Sequence, residues 1–129
     1  MKGSAFLSVR NTDKTYLEEL AKSLTNSGFK LVATRGTARD LEDMGFKVKK
    51  INKVLEGRPH IVDLMKNKEI NLVVNTTEGR ESITDSASIR RTALDQKICS
   101  STTIEGARAI CKVIENQVDW RVKKLQDIH

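Results

Sequence analysis

Two cysteines, one proline, one tryptophan and one tyrosine in 129 residues leave several protein classes without their raw material. Cys99 and Cys111 lack the close pairing of a zinc site or a redox motif and read as buried, reduced thiols. Aromatics make up 4% of the chain, too little for a platform on which bases stack. No apolar run approaches the roughly 18 residues of a membrane span. Met1-Lys2-Gly3 leads straight into apolar sequence without a signal-peptide layout, so the expectation is a cytoplasmic protein. Dinucleotide fingerprints and Walker motifs are missing. The two histidines offer no spacing with a carboxylate or cysteine that would make an acid–base pair or an activated nucleophile. His60, after Pro59 at a helix start, reads as structural, and His129 is the last residue.

What is there is ordinary for a globular domain: 38% hydrophobic and 31% charged residues, enough chain to bury a core without disulfides or metal. The net charge of +6 suits an anionic partner. The basic residues are interspersed with acids, however, as in Lys14 to Lys22 with Glu18 and Glu19 between them. Charge alone allows nucleic acid, an anionic surface or small anionic ligands as partner, and names no particular anion.

Strand-like and helix-like periods alternate along the chain. Strands are expected over 4–9, 29–33, 46–51, 70–74 and 97–100. The alternation of apolar and basic residues in 46–51 marks that strand as an edge or half-exposed one. Helices are expected over 13–27, with Tyr16, Leu17, Leu20, Ala21 and Leu24 on one face, and over 37–44, with Ala38, Leu41 and Met44 inward. Three more are expected over 60–67, over 85–96 capped by Asp85 or Ser86, and over 103–115, with a tail over 118–129 anchored by residues such as Trp120. Gly28 and Gly45 close the first two helices. Five strands, each followed by a helix, imply one α/β domain over 1–129, a five-stranded parallel sheet between two helical layers.

In such folds ligands sit beyond the carboxyl ends of the strands, and the loops there are rich in donors. Thr34-Arg35-Gly36-Thr37 is the best local phosphate cradle. Gly36 allows close approach, the following residues open a helix whose first N–H groups lack internal partners, and both threonines add hydroxyls. Lys14 and Lys53 follow the first and third strands and are placed to pair with a phosphate. Arg10, Arg35 and Arg58 are further cations of weaker placement. Asn75, Thr76 and Thr77 close the most apolar strand, and Asp85 serves either as a helix cap or as a ribose contact. Each of these residues also has a purely local reading, as turn, cap or solvated charge.

The segments SAFLSVRNTDK (4–14), VATRGTA (32–38), NKVLEGRPHIVD (52–63) and NLVVNTTEGRESITDSASIRRTAL (71–94) resemble the methylglyoxal-synthase-like domain. They are most similar to its version at the carboxyl end of the carbamoyl-phosphate synthase large subunit. The resemblance covers nearly the whole chain. It implies a three-layer, Rossmann-like α/β fold that binds nucleoside monophosphate effectors, UMP or IMP, and performs no catalysis or cofactor chemistry of its own. The chain would be a fragment, with the remaining large-subunit domains as direct partners and the glutaminase subunit as an indirect one. Carried over residue by residue, Ser8, Lys14, Thr34, Gly36, Thr37 and Lys53 fall on the effector's phosphate side. Asn75, Thr76, Thr77 and Asp85 fall on its ribose and base side. Ser100 and Thr102 match an ornithine site, in a segment (99–102) without the aromatic of some ornithine-responsive members. The alternative is a methylglyoxal synthase-like, phosphate-eliminating enzyme. It shares the Thr-x-Gly-Thr turn, but its catalytic aspartate is not evident around Thr77-Glu78-Gly79-Arg80-Glu81.

Overall fold

A computed structural model describes residues 3–52, 57, 60–76 and 80–127. Among the described residues the strands are β1 (Gly3–Ser8), β2 (Phe29–Ala33), β3 (Val48–Lys50), β4 (Leu72–Asn75) and β5 (Cys99–Ser101). They form one parallel sheet in the order β3-β2-β1-β4-β5. The helices are α1 (Leu17–Asn26), α2 (Arg35–Asp43), α3 (Ile61–Lys66), α4 (Arg80–Gln96) and α5 (Ile104–Asp127).

The three central strands, β1, β2 and β4, bury side chains on both faces, as the middle of a parallel sheet between helices must. On one face Ala5, Leu7, Leu31, Leu72 and Val74 pack against Leu17, Leu20 and Leu24 of α1, Leu41 of α2 and Ile104 and Cys111 of α5. On the other, Phe6, Val32 and Val73 pack against Ile61 and Met65 of α3 and Ile89 and Ala93 of α4. Truncating a centre residue such as Leu7, which has no exposed surface, is expected to cost about 2–5 kcal/mol.

The expected five-stranded α/β architecture is present, and β3 is indeed an edge strand, with Lys49 and Lys50 exposed. Several local expectations differ. Residues Asn11–Tyr16 form a 3-10 segment, and α1 proper starts only at Leu17. Tyr16 is exposed, with the Arg108 guanidinium 4.7 Å from its ring centre. Met44 sits at the C-cap of α2 and is 38% exposed, not inward. Helix α4 begins at Arg80, so Asp85 and Ser86 are interior and neither caps it. The expected tail is not separate, because α5 runs unbroken to Asp127 and no glycine or proline stands in 115–127 to stop it. Cys111 is buried as expected, and burial pushes its thiol pKa up. Cys99 is exposed, because β5 is the other edge of the sheet.

Candidate effector site

The sheet order reverses direction between β1 and β4: β1 leads by α1 to β2 on one side, and β4 leads by α4 to β5 on the other. The helices after these two strands lie on opposite faces, which opens a crevice above the carboxyl ends of β1 and β4. Ser8 and Asn75 are register partners at that edge, and Thr34 follows Ala33, the partner of Leu7. Hence Ser8, Thr34 and Asn75 stand on neighbouring strand ends.

Buried polar side chains concentrate at this edge: Asp13, Thr34, Thr37, Asn75, Thr76 and Ser86 are all buried. Such groups need partners, and most of the partners tie one loop to the next. The N–H of Val9 donates to Thr37 Oγ1 (3.1 Å), fastening the β1 loop to α2. The N–H of Arg10 donates to Thr76 Oγ1 (2.9 Å), and that of Thr76 donates to the Ser8 carbonyl (2.9 Å), fastening the same loop to β4. Asn75 Nδ2 donates to Ser86 Oγ (3.0 Å), which joins β4 to α4 and leaves the Asn75 carbonyl oxygen for another donor. The hydroxyl oxygens of Thr37 and Thr76 are thus engaged within the protein, while each retains a hydroxyl hydrogen to donate.

The turn into α2 is arranged differently. Thr34 is the N-cap residue, with extended backbone, but its side chain makes no cap hydrogen bond. Its hydroxyl donates to Ser8 Oγ (3.2 Å) instead. The first helical bond of α2 is Ala38 N–H to the Thr34 carbonyl (2.7 Å), so the N–H groups of Arg35, Gly36 and Thr37 precede the intrahelical ladder. A Cβ built on Gly36 meets nothing within 4 Å, and Gly36 is exposed. The helix end is therefore open to a small group that seeks N–H donors and the positive end of the helix dipole.

Two cations flank this edge. Lys14 Nζ forms an ion pair with Asp40 on α2, one turn beyond Thr37. Arg10 Nε donates to Asp13 Oδ2 (2.7 Å), and Asp13 is itself buried. Neither Asp40 nor Asp13 was anticipated as a site residue. The i,i+3 spacing of Arg10 and Asp13 is a signal legible in the sequence; the Lys14–Asp40 contact is a tertiary one and is not. Arg35 is exposed at the helix start. Lys53, Arg58 and Thr77 lie outside the described residues, and so does the side chain of Asp85, whose backbone belongs to α4. Ser100 and Thr102 are exposed at and just beyond β5, two strands away from β1. The structure therefore brings Ser8, Lys14, Thr34, Gly36, Thr37, Asn75 and Thr76 to one sheet edge and leaves Ser100 and Thr102 apart from them.

His60 is the N-cap residue of α3, as its position after Pro59 suggests; its N–H donates to Asp63 Oδ2 (3.2 Å), and its Nδ1 lies 3.6 Å from the same oxygen. Among the described residues no cluster of three metal-ligating side chains occurs, and no helix is long and apolar enough to cross a membrane.

A five-stranded parallel sheet between helical layers, with buried polar side chains gathered at its topological switch point, defines the doubly wound α/β class. Within that class, the chain belongs to the MGS-like domain family, whose model matches residues 16–102. At the level of sequence it is 53% identical over 127 residues to the carbamoyl phosphate synthase large chain of Pseudomonas aeruginosa, 50% identical over 127 to that of Xanthomonas axonopodis pv. citri and 48% identical over 128 to that of Pasteurella multocida. Each match takes in 98% of this chain, and the chain spans 12% of the length of these relatives. Among solved structures, methylglyoxal synthase from Elizabethkingia anophelis NUHP1 superposes with a TM-score of 0.66 at 19% identity, covering 85% of this chain and 76% of that one. ForH superposes with a TM-score of 0.56, also at 19% identity, covering 90% and 80%. At that identity the likeness is one of fold.

Proposed function

We propose that this chain is the effector-binding domain of a carbamoyl phosphate synthase large chain, that its effector is a nucleoside monophosphate, UMP or IMP, and that it performs no chemical step itself. In this reading all 129 residues form the domain, which is a fragment from the carboxyl end of a much longer chain. It needs no cofactor and works through contacts with the other domains of that chain, and through them with the glutaminase subunit. The parent enzyme would be an ATP-dependent ligase feeding the pyrimidine and arginine pathways, in the cytoplasm.

The observation that carries the reading is the uncapped start of α2 beside Ser8 and Lys14. Thr34 spends its hydroxyl on Ser8, so three backbone N–H groups stay available, and Gly36 adds no side chain to cover them. A phosphate there accepts from these N–H groups and from the hydroxyls of Ser8 and Thr37, with Lys14 one helical turn away and Lys53 as a second cation. The nucleoside then extends over β4, where the free carbonyl oxygen of Asn75 accepts from a ribose hydroxyl, with Thr76, Thr77 and Asp85 beside it.

Because the same loops are tied together through Val9–Thr37 and Arg10–Thr76, a ligand that draws on one hydroxyl affects its neighbour. The effector regulates only to the extent that it binds two states of the whole enzyme unequally. Calorimetric titration of the protein with UMP, IMP and inorganic phosphate tests the reading. One saturable site for a nucleotide, with phosphate competing, is expected. Absence of binding by all three would overturn it, and turnover of dihydroxyacetone phosphate would point to the phosphate-eliminating enzyme instead.

A further inference from the structure

The loop after β1 brings two cations to the rim, and each is held in an ion pair. Arg10 Nε donates to Asp13 Oδ2 (2.7 Å), and Lys14 Nζ meets Asp40 Oδ2 of α2. The two pairs are built differently. Arg10–Asp13 is a directed, charge-assisted hydrogen bond between residues three apart, and its carboxylate is buried. Lys14–Asp40 joins two separate elements. Asp40 Oδ2 is buried there yet accepts no hydrogen bond among the described residues, so its hold on Lys14 is ionic contact without a directed bond. The side chains of Lys14 and Asp40 keep 26% and 34% of their surface, so water can take the place of the ammonium if it leaves.

Helix α2 gains little from Asp40. A carboxylate stabilises a helix in its first turn, at the positive end of the dipole. The first turn of α2 has no acidic residue and begins with Arg35, whereas Asp40 lies beyond it. Gly36 and Thr37 stand four and three residues before Asp40, on the same face. At 1.5 Å per residue, Asp40 is about 6 Å along the axis from Gly36. The flexible four-carbon stem of a lysine can cover that distance. Lys14 is therefore held one turn short of the open helix start, on the face that leads to it.

We infer that Asp40 competes with the effector phosphate for Lys14 and thereby sets the affinity of the site. The inference rests on the nucleotide reading above. In the free protein the ammonium belongs to Asp40. A phosphate on the N–H groups of Arg35, Gly36 and Thr37 draws it up the helix, because a dianion offers more charge than one carboxylate, and Asp40 turns to water. Asp40 acts through Lys14 and touches no ligand. Removing its charge frees Lys14, so nucleotide binds more tightly. Plain repulsion between Asp40 and a dianion has the same sign, but it does not depend on Lys14, and that dependence separates the two.

The test is amide NMR at Gly36 and Thr37 during titration with UMP, and separately with inorganic phosphate. It compares the parent, Asp40→Asn, Asp40→Ala, Lys14→Met and Lys14→Met/Asp40→Asn. Alanine is the stronger helix former and keeps α2 intact. Roughly three- to tenfold tighter binding by both Asp40 variants, with less than about a twofold gain from Asp40→Asn once Lys14 is methionine, would support the inference. Unchanged or weaker binding by the Asp40 variants would overturn it. An equal gain with and without Lys14 would overturn it too, by leaving only repulsion. Loss of folding by both Asp40 variants would show that the pair serves the fold and would also overturn it. If the parent binds UMP and no gain appears, this inference alone fails. If neither parent nor variants bind UMP or phosphate, the nucleotide reading fails with it.

Discussion

Replacing Gly36 with alanine separates what the fold needs at the start of α2 from what a ligand needs. The added Cβ has nothing within 4 Å, and Gly36 is not among the positive-φ glycines, so no steric or backbone conflict opposes the change. Alanine is a better helix former than glycine by up to about 1 kcal/mol in a helix interior, and by less in a first turn. Thermal unfolding should therefore stay level or rise by a few degrees, given that about 1 kcal/mol moves a domain of this size by roughly 3–6 °C. A phosphate seated on the Arg35, Gly36 and Thr37 N–H groups would meet the new methyl group at close range. Forcing an extra carbon into a filled contact costs about 1–3 kcal/mol, which corresponds to roughly 5- to 150-fold weaker nucleotide binding. Calorimetry with UMP and IMP and a melting curve on the same preparation read both quantities. A variant at least as stable as the parent that binds nucleotide with unchanged affinity would refute the placement of the phosphate at this helix.

Other expectations follow from the same contacts. Thr76→Val removes the acceptor of the Arg10 N–H and should destabilise the protein by about 1–3 kcal/mol in urea titration, while Thr76→Ser, which keeps the hydroxyl, should restore most of it. Lys53→Ala should weaken nucleotide binding about tenfold or more, the value of a charge-assisted bond, with unfolding unchanged; equal binding by mutant and parent would remove Lys53 from the site. For Cys111, burial raises the folded thiol's pKa, so the folded state holds its proton longer than the unfolded state does. Stability should then be unaffected by this group below the ordinary thiol pKa of about 8.5 and fall as pH rises from there through the folded value. Cys111→Ala should flatten that decline in urea midpoints measured at neutral and alkaline pH. A thiol reagent should modify exposed Cys99 promptly and Cys111 only slowly.

Much of the architecture could be read from the residues because the parallel sheet imposes its own pattern. Apolar runs such as INLVV can be satisfied only between two helical layers, and of the stripe read for the first helix Leu17, Leu20, Ala21 and Leu24 reach the core while Tyr16 does not. The errors fall where burial does not dictate the answer. Cys99 looks like a core residue by type, but the exposure of β5 depends on strand order, which no local pattern encodes. The start of α4 lies in a polar stretch whose helical character comes from propensity without an apolar face, so its signal is weak. Helix α5 passes through what reads as a tail because nothing stops it. At the candidate site, residue types and their places at strand ends were legible. Their hydrogen-bond assignments were not, since whether Thr37 and Thr76 face a ligand or fasten Val9 and Arg10 depends on contacts 28 and 66 residues apart.

A crystal structure of this protein grown with UMP bears most directly on the account. The phosphate should lie within hydrogen-bonding distance of the Gly36 and Thr37 N–H groups and of the Ser8 hydroxyl, with the ribose turned toward Asn75. A nucleotide bound anywhere else on the surface, or none bound at saturating concentration, would contradict it.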